Sequence, residues 1–215
     1  MDYFSIRLNK YPRQRNITWR AITKYLQQFI PVDASVLDIA AGKCLFINNV
    51  IAAEKFAIDI DKNFVQYANS NVKTKICNAL DLHEVIHLDN KKIDIIFSSN
   101  FLEHLTLPDS QKLLRKIRQI LNLGGLIILM QPNYRYCYKN YWDDFTHKTA
   151  FSHTSLMELL QSEGFEIKKC YKKFMPLTLN STFAIFSFLV PIYLLLPIKP
   201  MAKQMLIIAK KNSVL

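Results

Sequence analysis

The sequence predicts a doubly wound α/β domain on a mostly parallel sheet, and three observations carry that prediction. Residues 36–39 (VLDI) are short, apolar and uncharged up to Asp38, as a strand covered on both faces must be. Ala40, Ala41 and Gly42 follow as a lean turn. Apolar runs of strand length then alternate with helical periodicity to the end of the chain, with no linker, repeat or low-complexity stretch between them.

Taken in order, Asn16 caps a predicted helix over 17–30, where Trp19, Ile22, Leu26 and Phe29 fall on one face. An N-terminal helical cover is expected over 1–34, although core packing alone would explain the stripe. After the strand at 36–39, residues 45–53 (LFINNVIAA) read as a helix. Further strands are predicted near 56–60, 75–79, 93–98, 126–131, 165–174 and 204–210, making seven. Helices are predicted near 62–70, 109–122 and 154–163. Leu113, Ile117, Ile120 and Leu121 line the apolar face of the second, and NLGG closes it as a glycine cap.

At 215 residues, half apolar and with only four glycines, the chain suits one ordered domain spanning 1–215. Cys44, Cys77, Cys137 and Cys170 form no CxxC pair, and the basic opening lacks an apolar signal core, so a reducing, cytoplasmic setting is expected. The net charge of +11 sits at the ends: six basic groups against Asp2 in residues 1–30, and eight lysines against Glu166 in residues 164–215. Such ends suit an anionic lipid surface, nucleic acid or an acidic substrate, and solvated lysine-rich faces are the bland alternative.

A strand ending in Asp38, a small-residue turn, a helix N-terminus and a second acid, Asp59, about 20 residues on is how a nucleoside-containing cofactor is gripped. With Asp38, Ala40, Gly42 and Cys44 at the positions of an acid-x-Gly-x-Gly-x-Gly motif, the chain resembles the class I S-adenosylmethionine-dependent methyltransferases. That resemblance implies a seven-stranded Rossmann-like sheet with an antiparallel last strand, and S-adenosylmethionine as cofactor. It also implies that Asp59 takes the ribose hydroxyls and that Asn78, Ala79 and Asp81 border adenine. Ala40 is a small departure, whereas Cys44 adds a side chain where the backbone passes closest to the ligand, which implies weakened binding.

The end of the fourth predicted strand matches the same family at Ser98, Ser99, Asn100, Phe101, Leu102, Glu103 and His104, so Ser99, Asn100 and Phe101 are expected at the methionine end of the cofactor. Glu103 and His104 read as supporting or helix-capping groups rather than direct catalysts. The segment PNYRYCYKNYWDDFTH at 132–147 resembles PNxRYxxxxYWDxxDH of small bacterial methyltransferases linked to glycan or small-molecule biosynthesis, with Thr146 in place of the second acid. Residues 133–153 are long and aromatic for a connection, which suits a sugar or other polar ring. Tyr134, Arg135, Tyr141 and Trp142 are the candidate acceptor-binding residues. For O-methylation of a glycan precursor or small metabolite, His147 is the candidate base, with Asp143 as its orienter or as an alternative base.

A non-catalytic binding or scaffold protein of the same fold is the rival reading, since the glycine motif is reduced. Nucleic acid is not expected as a partner, because SSNF stands where NPPY or DPPY would follow the fourth strand. His83, Glu84 and His87 spell HExxH, a zinc signature, but Asp89 and Asn90 would end a helix there early, so no metal is expected. Residues 174–198 are 25 uncharged residues flanked by lysines, long enough to cross a bilayer. Pro176, Pro191 and Pro197 break the run, and a crossing would strand the last strand away from its sheet. A hydrophobic helical insertion over 174–203 is predicted instead. It caps the site as a buried cover or rests on the inner face of the membrane as a peripheral contact.

Overall fold

A computed structural model of the chain describes residues 12–82, 92–176 and 187–212. Among them one sheet holds β1 (Ser35–Ile39), β2 (Glu54–Asp59), β3 (Lys73–Ile76), β4 (Ile93–Ser99), β5 (Leu121–Pro132), β6 (Phe165–Tyr171) and β7 (Gln204–Lys211). Their spatial order is β3-β2-β1-β4-β5-β7-β6. β1 pairs in parallel with β2 and β4, β2 with β3 and β4 with β5, while β7 runs antiparallel between β5 and β6. The antiparallel last strand is as the sequence implied. Winding reverses at β1 and β4, so the crevice beyond their carboxyl ends is the switch point where ligands sit in such sheets.

The helices are α1 (Pro12–Leu26), α2 (Leu107–Ile120), α3 (Tyr134–Cys137), α4 (His153–Ser162) and α5 (Val190–Leu195). Alternate residues of the central strands feed two cores. Leu37, Ile39, Ile127, Leu129 and Ile207 join Leu113, Ile117, Leu156 and Leu160 from α2 and α4 on one face. Val36, Ala57, Phe97, Ile128 and Ile208 join Ile22, Leu26, Val190 and Leu194 from α1 and α5 on the other. Because both faces are covered, these strands read as continuous apolar runs rather than alternating ones.

Several predicted elements take a different local form. Residues 45–53 are turns rather than a helix, with isolated bonds from Asn48 N–H to Cys44 O (3.0 Å) and from Val50 N–H to Phe46 O (3.1 Å). The expected helix N-terminus beside Gly42 is therefore missing. Residues 62–70 shrink to a 3-10 turn, Lys62–Tyr67, capped by Asp61. α1 begins ahead of Asn16, which thus lies inside it and is no cap, and a 3-10 turn at Gln27–Phe29 ends the segment. β3 is Lys73–Ile76 rather than 75–79, and β6 ends at Tyr171, short of 174.

NLGG does not cap α2. The strand begins at once at Leu121, and the glycines form a bulge between the Ile93–Leu121 and Ile95–Leu126 pairings. A Cβ on Gly125 would stand 2.9 Å from Asp94 O, so the bulge demands glycine there. In the insertion, Ser187–Leu189 and α5 are short helical pieces packed on α1. Residues 177–186 and the HExxH of His83, Glu84 and His87 lie outside the described residues. No helix among the described residues is long and apolar enough to cross a membrane.

Candidate active site

The turn after β1 keeps the backbone of a glycine-rich loop without its glycines. Ala40, Gly42 and Cys44 all take left-handed conformations, with φ of 58°, 52° and 54°. Left-handed backbone costs a residue with a Cβ roughly 1–2 kcal/mol, so Ala40 and Cys44 hold this shape against strain. Cross-links from β2 hold it: Ala41 N–H donates to Ile58 O (3.0 Å) and Gly42 N–H to Asp59 Oδ2 (2.8 Å). Asp59 Oδ1 accepts from Asp61 N–H at 2.9 Å. A carboxylate has about four lone-pair sites, so two remain for ligand hydroxyls. A Cβ on Gly42 would meet nothing within 4 Å, which leaves open space over the turn.

Asp38 is buried at the end of β1. Burial and the neighbouring Asp59 charge push its carboxyl well above the usual range, opposed by a hydrogen bond from the Ile47 backbone. Cys44 corrects the sequence expectation. Its side chain is fully buried in the second core, with Sγ 3.8 Å from Phe64 O, so it is sealed from solvent and does not obstruct a ligand. Burial and the Asp38 and Asp59 charges push its thiol up to about 12.

Asn78, Ala79 and Asp81 form the turn after β3. Asn78 is exposed and its Oδ1 caps Leu80 N–H at 2.9 Å. Ala79 is buried, and Asp81 Oδ1 lies 4.0 Å from Lys116 Nζ. At the end of β4, Ser99 Oγ accepts from Asn100 Nδ2 (2.9 Å), while Asn100 Oδ1 accepts from Gln204 Nε2 on β7 (2.8 Å). The Asn100 amide is thus a clip across the sheet. Phe101 N–H donates to Gln131 Oε1 at 3.2 Å.

The aromatic segment after β5 is folded rather than loose: α3 leads into a 3-10 turn at Tyr138–Asp143, and buried Asn133 anchors it to His153 and Lys172 O. Tyr134 is half-buried, Arg135 is exposed, and Trp142 is exposed. Tyr141 is not a surface contact. It is fully buried, donates to Thr149 O at 2.5 Å, and packs against Tyr134, Trp142 and His147.

Asp143 is also corrected. It is exposed and accepts from Asn140 at 3.0 Å, whereas the buried acid facing His147 is Asp144, with Oδ2 3.7 Å from His147 Nε2. Because a carbonyl only accepts, the 2.7 Å contact to Tyr141 O places a proton on His147 Nδ1, so the neutral ring directs its lone pair from Nε2. Thr146 Oγ1 donates to Asp144 Oδ1 (2.7 Å) and therefore accepts from His104 Nδ1–H (2.9 Å), leaving His104 in the same tautomer. The two imidazoles lie 5.1 Å apart, centroid to centroid. Glu103 is buried beside them, its carboxyl pushed up to about 8 by burial and, after an opposing backbone hydrogen bond, by Asp144. Glu103, His104, Asp144 and Thr146 carry more of this cluster than the sequence assigned them. The adjacency of LEH to the end of β4 was the available signal for the first two.

Residues 37–129 match the family described as a methyltransferase domain. The chain is similar to a phosphoethanolamine N-methyltransferase of Plasmodium falciparum, 28% identical over 117 residues, covering 52% of this chain and 43% of that protein. The chain thus spans less than half the length of that relative. Among solved structures it resembles a SAM-dependent methyltransferase from Archaeoglobus fulgidus (20% identity, TM-score 0.62, covering 90% of this chain and 94% of that one). It also resembles the N-methyltransferase NodS from Bradyrhizobium japonicum WM9, solved with S-adenosyl-L-homocysteine (12% identity, TM-score 0.64, covering 96% and 89%).

Proposed function

We propose, for a chain that carries a methyltransferase domain on the class I methyltransferase fold, that it transfers a methyl group from S-adenosylmethionine to an oxygen of a small-molecule or glycan-precursor acceptor. The observation that supports this reading is the left-handed turn at Ala40, Gly42 and Cys44, cross-linked to Asp59 with open space above Gly42. The cofactor supplies an electrophilic methyl on a sulfonium. Asp59 offers its spare lone pairs to the ribose hydroxyls, and the exposed Asn78 borders the adenine. Acceleration then comes from holding the acceptor oxygen in line, so the acceptor end of the site matters most. His147 activates that oxygen, oriented by Tyr141 O and faced by Asp144, and exposed Trp142, Arg135 and Phe145 receive the acceptor ring.

Calorimetry with S-adenosylmethionine and S-adenosylhomocysteine is the test. Saturable binding of both is expected, and folded protein that binds neither refutes the reading and leaves the scaffold alternative. His147→Ala is expected to lower turnover by about 10²-fold or more with cofactor affinity unchanged. Loss of cofactor binding in that variant would move His147 to a structural role.

A membrane contact rests on a separate observation. The outer side of residues 187–201 presents Phe188, Ile192, Leu195, Ile198 and Met201 to solvent, beside the basic helix α1. This face suits the surface of an anionic bilayer and would bring the enzyme to lipid-linked acceptors.

A further inference from the structure

We propose that Glu103, His104 and His147 bind one divalent first-row transition metal ion, Zn²⁺ in the first instance, at the acceptor end of the site. One ligand atom from each of the three lies within 4.8 Å of the others. Ligands around a tetrahedral ion with bonds of about 2.1 Å stand about 3.4 Å apart, so side-chain shifts of about 1 Å complete the site. The donor set is two imidazoles and one carboxylate, which favours such a metal over Mg²⁺ or Ca²⁺ and leaves a coordination position open.

A second observation points to a missing partner. Glu103 is 2% exposed, and its Oε2 is buried with no hydrogen-bond partner among the described residues. A buried carboxylate oxygen left in that state is costly, and a cation between it and the two rings resolves the cost.

The surroundings are those that orient metal-binding histidines. Tyr141 O fixes the Nδ1 proton of His147, and the Asp144–Thr146 pair fixes that of His104, so Nε2 is the atom that each ring would turn to an ion, with Asp144 Oδ2 3.7 Å from that of His147. Thr146 thus relays to His104 the carboxylate that Asp144 supplies two positions earlier in the chain. At the open position the ion would take the acceptor's oxygen and lower its pKa, so that its proton leaves to bulk water and His147 serves as a metal ligand in place of the base. That role rests on the proposed methyl transfer; the binding itself does not.

Chelator-treated full-length protein, free of any affinity tag, is titrated with Co²⁺ and with Zn²⁺ and followed by calorimetry and visible absorption. One ion per chain is expected, with d–d bands and no thiolate charge-transfer band. His104→Gln and His147→Gln should each weaken binding about 10-fold or more, Thr146→Val about 10-fold, and Asp143→Asn should leave it unchanged. The His83→Ala, His87→Ala double variant should also bind normally. No saturable binding by wild type overturns the proposal, as does a thiolate band, which needs no variant to fold. Binding that survives both glutamine variants, or that disappears with His83 and His87, overturns it too. S-adenosylmethionine binding measured on the metal-free protein separates the two failures: it persists if only the metal proposal is wrong and is absent if the methyltransferase reading is wrong.

Discussion

Ala40 shows how a residue can keep a loop's shape while departing from its glycine. Its φ of 58° is one that a Cβ disfavours by roughly 1–2 kcal/mol, and glycine would return about 0.5–1 kcal/mol of that in its own lost entropy. Ala40→Gly should therefore raise stability by about 0.5–1 kcal/mol, read as a higher urea midpoint at unchanged slope, with cofactor affinity retained. A lower midpoint would show that the strain is absent. The acids are less legible than the turn. In YWDDFTH the exposed Asp143 and the buried Asp144 are chemically identical neighbours, and only the 3-10 turn over Tyr138–Asp143 decides which one faces His147. Asp94 carries a pH dependence. Burial pulls its carboxyl upward, but hydrogen bonds from Ser35 and Asn122 outweigh burial and hold it below the ordinary carboxylate value. A depressed folded-state value means stability present above about pH 4 and lost as pH falls through the folded value. Asp94→Asn should accordingly be less stable than wild type at pH 7, and the gap should close towards pH 3 in urea titrations. A gap independent of pH would assign the loss to packing.

At the scale of elements, the central strands were legible because burial on both faces leaves little freedom of residue type, as in IDIIFSS of β4, whereas the half-exposed edge strands β3 and β6 were misplaced at their ends. The segments between them were not. LFINNVIAA has helical spacing, yet Cys44, Phe46, Ile47 and Val50 bury themselves by successive turns anchored to β2 and to Phe64. Tertiary burial overrides the local period there. NLGG was correctly a site of glycine chemistry, but the strand starts at Leu121 and uses the pair as a bulge. The two glycines should then respond differently to alanine. At Gly125 the added Cβ meets two backbone oxygens, Asp94 O at 2.9 Å and Asn122 O at 3.0 Å, neither of which can move without the sheet. Gly125→Ala should cost about 2–3 kcal/mol. At Gly124 the nearest neighbour is the flexible end of Lys210 at 3.3 Å, and the cost is the φ of 79°, about 1–2 kcal/mol. Equal losses in chemical denaturation would argue against the bulge.

For the whole molecule, the question is what the uneven charge and the exposed apolar face do together. α5 turns Val190, Tyr193 and Leu194 inward onto the second core, and α1 packs beside it with Arg13, Arg15, Arg20 and Lys24 along its length. The opposite side of the same segment leaves Leu195 77% and Ile198 82% exposed, next to Lys199 and Lys203. In the proposed membrane contact, apolar burial at roughly 25 cal/mol per Å² across several such side chains would add to attraction of the basic groups to anionic head groups, and both favour reversible surface binding. If the contact needs both parts, removing either one should abolish it. The protein is expected to float with anionic vesicles at low salt, to float less as salt screens the charges, and to stay at the bottom with neutral vesicles. Leu195→Glu combined with Ile198→Glu should abolish flotation while leaving cofactor binding intact, because both side chains point away from the core. Wild-type protein that stays at the bottom at low salt rules the contact out. If the same double variant instead converts a dimer to a monomer by light scattering, the face joins two copies of the chain, and an alkali-resistant membrane pellet would require a crossing segment.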